Sequence, residues 1–151
     1  MNPEEKDFYK NIRKKINDWL ESNTGKNHQW KEYILLAPDL FHLLTKLSTD
    51  KEIPESKKIK LYAAIAYFIS PIDLLPEALF GPVGFLDDIA LSAYVLNDII
   101  NNVDPKIVKR NWAGDKDILV LVKTIIANAN NFLGGRILKK IKKEYKSGFN
   151  S

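Results

Sequence analysis

The sequence predicts an all-α fold: a single compact bundle of about six or seven helices built around a central helix-loop-helix. Two observations carry this. Apolar residues recur at three- and four-residue steps in almost every segment, the period of a helix with one buried face. No segment shows sustained apolar/polar alternation between turn residues, so no strand is expected.

The elements follow in order. Phe8, Ile12, Ile16 and Trp19 line one face of a first helix over roughly Pro3 to Ser22, stopped by Asn23-Thr24-Gly25. A second helix starts near His28 and carries Trp30, Tyr33 and Ile34. Pro38 interrupts it, since proline lacks the amide donor. Leu40, Phe41, Leu44 and Leu47 belong to a short third helix. Pro54 opens the next, with two apolar stripes: Ile59, Tyr62, Ala66 and Ile69, and Leu61, Ile65 and Phe68. Being apolar almost all round at its end, this helix is expected to be central. Ser70-Pro71 ends it, and Gly81-Pro82 and Gly84 break the chain. Phe85 then opens a helix with Ile89, Ala93, Leu96 and Ile100 on its buried side. Asp104-Pro105 starts a short helix ending at Trp112. Asp115 is the expected N-cap of the helix carrying Ile118, Val122, Ile125 and Ala129. Gly134-Gly135 precedes a basic amphipathic helix at about 136–146.

The 151 residues are one domain's worth and bury a core without staples. With no cysteine, disulfides, thiol catalysis and cysteine-ligated metals are excluded. No run free of Asp, Glu, Lys and Arg exceeds 12 residues, the length of Leu61 to Ile72, short of the ~18 that suggest a membrane span. The first residues hold no apolar h-region, so a cytoplasmic location is expected.

Charge is unevenly placed. Between Lys60 and Lys106 there is no lysine or arginine, while Asp73, Glu77, Asp87, Asp88, Asp98 and Asp104 fall there. Arg136, Lys139, Lys140, Lys142, Lys143 and Lys146 make the other end basic, interleaved with Ile137, Leu138, Ile141 and Tyr145. Such a helix either docks on the bundle with its lysines in water or lies on an anionic membrane surface. Nucleic acid is a weaker reading: Lys57, Lys58, Lys60, Lys106, Lys109 and Arg110 could extend a basic surface, but no recognition motif accompanies them.

The segment Tyr67 to Leu91 holds Asp73, Glu77, Asp87 and Asp88 in an otherwise apolar, cation-free stretch. Each acid stands near a helix start, where a carboxylate accepts free backbone amides and the macrodipole favours negative charge. The competing reading is that the two helix starts face each other and the four acids bind a divalent cation, which would relieve their repulsion. No nucleophile, base or phosphate-cradling loop accompanies them, so an enzyme, such as a metal-dependent hydrolase, is the lesser expectation. Leu79 and Phe80, with Val83, stand in the Gly-Pro loop as candidate partner-facing residues. His28 and His42 lie on different helices and read as surface or core residues rather than ligands. Trp19, Trp30 and Trp112 read as core-edge aromatics.

The run SPIDLLPE at 70–77, a short Gly-Pro loop and GFLDDIAL at 84–91 resemble the signature of the YkvA-like family, a domain of unknown function numbered 1232. The resemblance covers roughly residues 61–100. Where the family usually has aspartate after the second proline, this chain has Glu77. The resemblance implies a small helical domain, with membrane association suggested for some members, and brings no activity with it. The reading that follows is a non-enzymatic interaction or peripheral membrane module. A divalent-cation protein is the alternative, and no other cofactor is expected.

Overall fold

The computed structural model describes residues 1–69 and 84–133, and these are helical apart from short turns, with no strand among them. The helices are α1 (Pro3–Glu21), α2 (Asn23–Lys26), α3 (Lys31–Ile34), α4 (Ala37–Ser48), α5 (Glu55–Ile69), α6 (Leu86–Asn102), α7 (Pro105–Asn111) and α8 (Ile118–Leu133). No helix among the described residues is long and apolar enough to cross a membrane.

Local chemistry accounts for most helix starts. Asn2 caps α1 in a reciprocal box: its Oδ1 accepts from the Glu5 amide at 2.8 Å and Glu5 accepts from the Asn2 amide at 2.9 Å. Asp104 caps α7 through the Lys106 amide, with Pro105 in the first turn. At α8 the cap is Asp117, not Asp115: Asp117 Oδ1 accepts from the Leu119 amide at 2.9 Å, and its carbonyl takes the Leu121 amide. Both aspartates suit the role by residue type, and register against the core decides between them.

Further expectations are refined. Asn23-Thr24-Gly25 does not simply stop α1 but forms the single turn α2, capped by Ser22. A Cβ at Gly25 would run into the Trp19 carbonyl, so glycine lets this turn close onto α1. The expected break between the second and third helices is present, but α3 already ends at Ile34, and Pro38 occupies the first turn of α4, where its missing amide is not needed. On α5 the stripe of Leu61, Ile65 and Phe68 is buried. Most of the other stripe faces solvent, with Ile59 63% and Tyr62 53% exposed and Ala66 exposed beside them, while Ile69 is half-buried against the core.

α6 is the central element. It packs most extensively on α8 and also touches α3, α4, α5 and α7. α5 runs antiparallel to it, since Lys57 and Lys60 near the start of α5 reach Asp98 late in α6, and Tyr67 near the end of α5 reaches Asp87 early in α6. Four phenylalanines join α1, α4, α5 and α6. Phe8 and Phe41 have centroids 4.7 Å apart, Phe41 and Phe68 5.5 Å, and Phe68 and Phe85 6.2 Å. Phe41, Phe68 and Phe85 are fully buried, each stabilising the fold by about 2–3 kcal/mol through lost water contact. Trp19, Trp30 and Trp112 pack at the core edge, as their type suggests.

Candidate functional site

The first turn of α6 carries two adjacent carboxylates out of water: Asp87 is 0% and Asp88 1% exposed. Leu86, Ile89 and Ala90 around them are buried core, so the turn is drawn inside by its neighbours. The N-cap, Phe85, offers no side-chain cap. Asp87 takes part of that role. Its Oδ1 accepts the Asp88 amide at 3.0 Å, and its Oδ2 accepts the Tyr67 hydroxyl at 3.2 Å, which fastens the end of α5 to the start of α6. The Ser92 hydroxyl donates to the Asp88 carbonyl at 2.7 Å, one turn on. The macrodipole at a helix N-terminus favours both negative charges.

Of the residues singled out in the sequence, Asp87 and Asp88 are thus neighbours in one buried turn. Asp73, Glu77, Leu79 and Phe80 lie outside the described residues, as do Arg136, Lys139, Lys140, Lys142 and Lys143. Among the described residues no three His, Asp or Glu side chains gather as a metal group. His28 Nδ1 accepts the Trp30 amide, and the His42 ring packs against Tyr9 at 5.7 Å. Burial, with Lys46 nearby, holds the His42 imidazole below its ordinary pKa; Asp39 opposes this weakly.

Of the six basic residues singled out near the middle of the chain, Lys57, Lys58, Lys60 and Arg110 pair with acids, while Lys106 and Lys109 are exposed. Lys57 and Lys60 both donate to Asp98 Oδ2, at 3.0 and 2.9 Å, and Lys58 pairs with Glu55 at 3.5 Å. Arg110 forks onto Asp50, which also accepts from Asn111, tying α7 to the turn after α4.

A second surface lies between α1 and α5. Asn2, Glu4 and Glu5 at the start of α1 form one wall of a groove of about 330 Å³, and Tyr62, Ile65, Ala66 and Ile69 of α5 form the other. The signal was present in the two apolar stripes of α5, because an edge helix needs only one for the core.

A helical domain with a buried carboxylate turn at its centre is the class these features define. Residues 57–94, spanning α5 and the first half of α6, match the family described as "Protein of unknown function (DUF1232)". The match covers about a quarter of the chain and agrees with the resemblance read from the motif. The "Uncharacterized protein ORF9" of Methanothermobacter thermautotrophicus is 27% identical over 126 residues, 83% of this chain and 84% of that protein. The E3 ubiquitin-protein ligase RNF170 of Xenopus laevis is 59% identical over 29 residues, 19% of this chain and only 11% of that protein. Its Xenopus tropicalis counterpart is 57% identical over 28 residues, again 11% of its length. No solved structure matches the chain.

Proposed function

We propose that the chain is a non-enzymatic interaction module whose working surface is the outer face of α5, and that it receives a cationic amphipathic helix there. The observation that supports this is the exposure of Ile59 and Tyr62, two large apolar side chains one turn apart inside the family segment. Contiguous apolar side chains left in water on a folded domain mark contact surfaces, and a groove between helices takes the apolar face of another helix. Glu4 and Glu5 line the groove beside that face, so its charge there opposes anionic lipid and favours a basic partner.

Titration with a synthetic amphipathic helix of leucine and lysine, against the same peptide with glutamate for lysine, tests the reading. The lysine peptide is expected to bind, the glutamate peptide not, and Ala66→Arg to weaken binding at least about tenfold, or 1.4 kcal/mol. Equal binding of both peptides, or no effect of Ala66→Arg, would overturn it. Co-sedimentation with anionic vesicles in low salt that survives Ala66→Arg would move the reading to a membrane surface.

The alternative, a divalent-cation site, draws on the complete burial of Asp87 and Asp88 side by side. Asp73 and Glu77 would complete it with oxygen ligands. A metal-induced rise in unfolding temperature that Asp87→Asn abolishes would support it, by linkage.

A further inference from the structure

We infer that the helix received on the outer face of α5 is the α5 of a second copy of this chain, lying antiparallel to the first. The inference rests on the reading of α5 as a docking face and names its occupant.

Three observations converge. The first is spacing. Along the outer row, Ile59, Tyr62, Ala66 and Ile69 step by three, four and three residues. That is the 3.5-residue period of a seam between two helices. The core already takes the other stripe, Leu61, Ile65 and Phe68.

The second is shape. When two such rows run antiparallel about a two-fold axis, Ile59 of one copy meets Ile69 of the other, and Tyr62 meets Ala66. A large side chain thus faces a small one, twice. Ala66 also lines the groove of about 330 Å³, where Ile65 and Ile69 are apolar and Glu4 and Glu5 acidic. A tyrosine suits such a groove: its ring covers the apolar wall and its hydroxyl donates to a carboxylate. Glu5 is engaged with Asn2, while among the described residues the Glu4 carboxylate has no hydrogen bond or ion pair. The Tyr62 hydroxyl, in turn, donates to the Ser48 carbonyl of its own chain at a long 3.4 Å.

The third is charge. Near the start of α5 three lysines, Lys57, Lys58 and Lys60, meet two carboxylates, Asp98 and Glu55, which leaves that end one positive charge in excess. The positive end of the helix macrodipole adds to it. Glu4 and Glu5 stand at the other half of α5, beside Ala66 and Ile69. Antiparallel pairing brings the positive start of each helix to the acids of the other copy, whereas parallel pairing would set the acids side by side. The row is only about 16 Å long, so the expected dimer is weak and reversible.

Sedimentation equilibrium of the full chain from micromolar to millimolar concentration tests this. A reversible dimer is expected. Ala66→Arg fills the place of the facing tyrosine and is expected to weaken the dimer at least about tenfold (1.4 kcal/mol), with its helices intact by circular dichroism. Because the chain has no cysteine, orientation is tested by single cysteines. Chains with Ile59→Cys and chains with Ile69→Cys, mixed and oxidised, are expected to link to each other, since a disulfide needs Cα atoms within about 7 Å. Ile59→Cys alone is expected to link far more slowly. A monomer at every concentration, a dimer that Ala66→Arg leaves intact, or faster linking of Ile59→Cys to itself would overturn the inference. If the chain stays monomeric while the lysine peptide binds and Ala66→Arg weakens that binding, the face takes a different helix and only the inference falls. If the peptide also fails to bind, the reading of α5 falls with it.

Discussion

Asp98→Ala is the perturbation whose effect the structure sizes best. Asp98 lies on α6 with its side chain 14% exposed, and its Oδ2 accepts from Lys57 and Lys60 of α5, whose side chains are 19% and 8% exposed. Removing the carboxylate leaves two ammonium groups at the α5–α6 contact, one of them almost fully out of water. Breaking a buried ion pair by deleting one partner costs about 3–5 kcal/mol. Lys57 is more exposed and recovers water by swinging its long stem outward. A loss of about 2–3 kcal/mol follows, which for a domain of this size lowers Tm by roughly 5–10 °C. Thermal unfolding followed by circular dichroism at neutral pH measures it. A change of less than about 1 °C would refute the reasoning, because the three groups would then be solvated rather than mutually dependent. The same site sets an acid limit. Burial pushes the Asp98 carboxyl up, but hydrogen bonds and charges from Lys60 and Lys57 more than offset this and hold it below the usual carboxylate range. A carboxylate with a depressed folded pKa contributes stability above its unfolded value, about 3.9, and loses it as pH falls through the folded value. Asp98→Asn is therefore expected to flatten the loss of stability below about pH 4.

Other outcomes follow from the same packing. Asp87→Asn is expected to lower Tm by several degrees, to the same extent in EDTA and in millimolar magnesium, calcium or manganese. A metal-dependent gain confined to the wild type would transfer the acids to the cation reading. Phe68→Ala, at the meeting of α5 with Phe41 and Phe85, removes a fully buried ring and is expected to cost about 3–5 kcal/mol in a urea melt. A loss under about 1 kcal/mol would contradict the aromatic junction. His42 has a lowered pKa, so the unfolded chain binds its proton first. Stability should fall as pH drops below about 6.5 toward the folded value. An NMR titration of the imidazole midpoint above 6.5 would be the wrong sign.

Helical period made most of this fold legible. Ile12 and Ile16, Leu40 and Phe41, and Ile118, Val122 and Ile125 are spaced for one buried face, and each is buried. Period alone failed where two answers were locally equal. Asp115 and Asp117 both suit a cap, and only the packing of α8 chooses Asp117. Both stripes of α5 are apolar, and only the positions of α4 and α6 decide that Leu61, Ile65 and Phe68 turn inward. The Asp98 hub joins residues about forty positions apart, a pairing that no local rule supplies. At the carboxylate turn the sequence located Asp87 and Asp88 at a helix start, but not their complete burial. That follows from α6 being surrounded on several sides, a tertiary fact.

The central claim is that the outer face of α5 is where this domain makes contact. Mapping backbone amide shifts of the full chain by NMR during addition of the leucine–lysine helix tests it most directly. The account predicts shifts concentrated at Asn2 to Glu5 and from Lys58 to Ile69, with α7 and the exposed side of α8 near Val120 unmoved. Shifts centred on α8, or spread evenly over the surface, would contradict it.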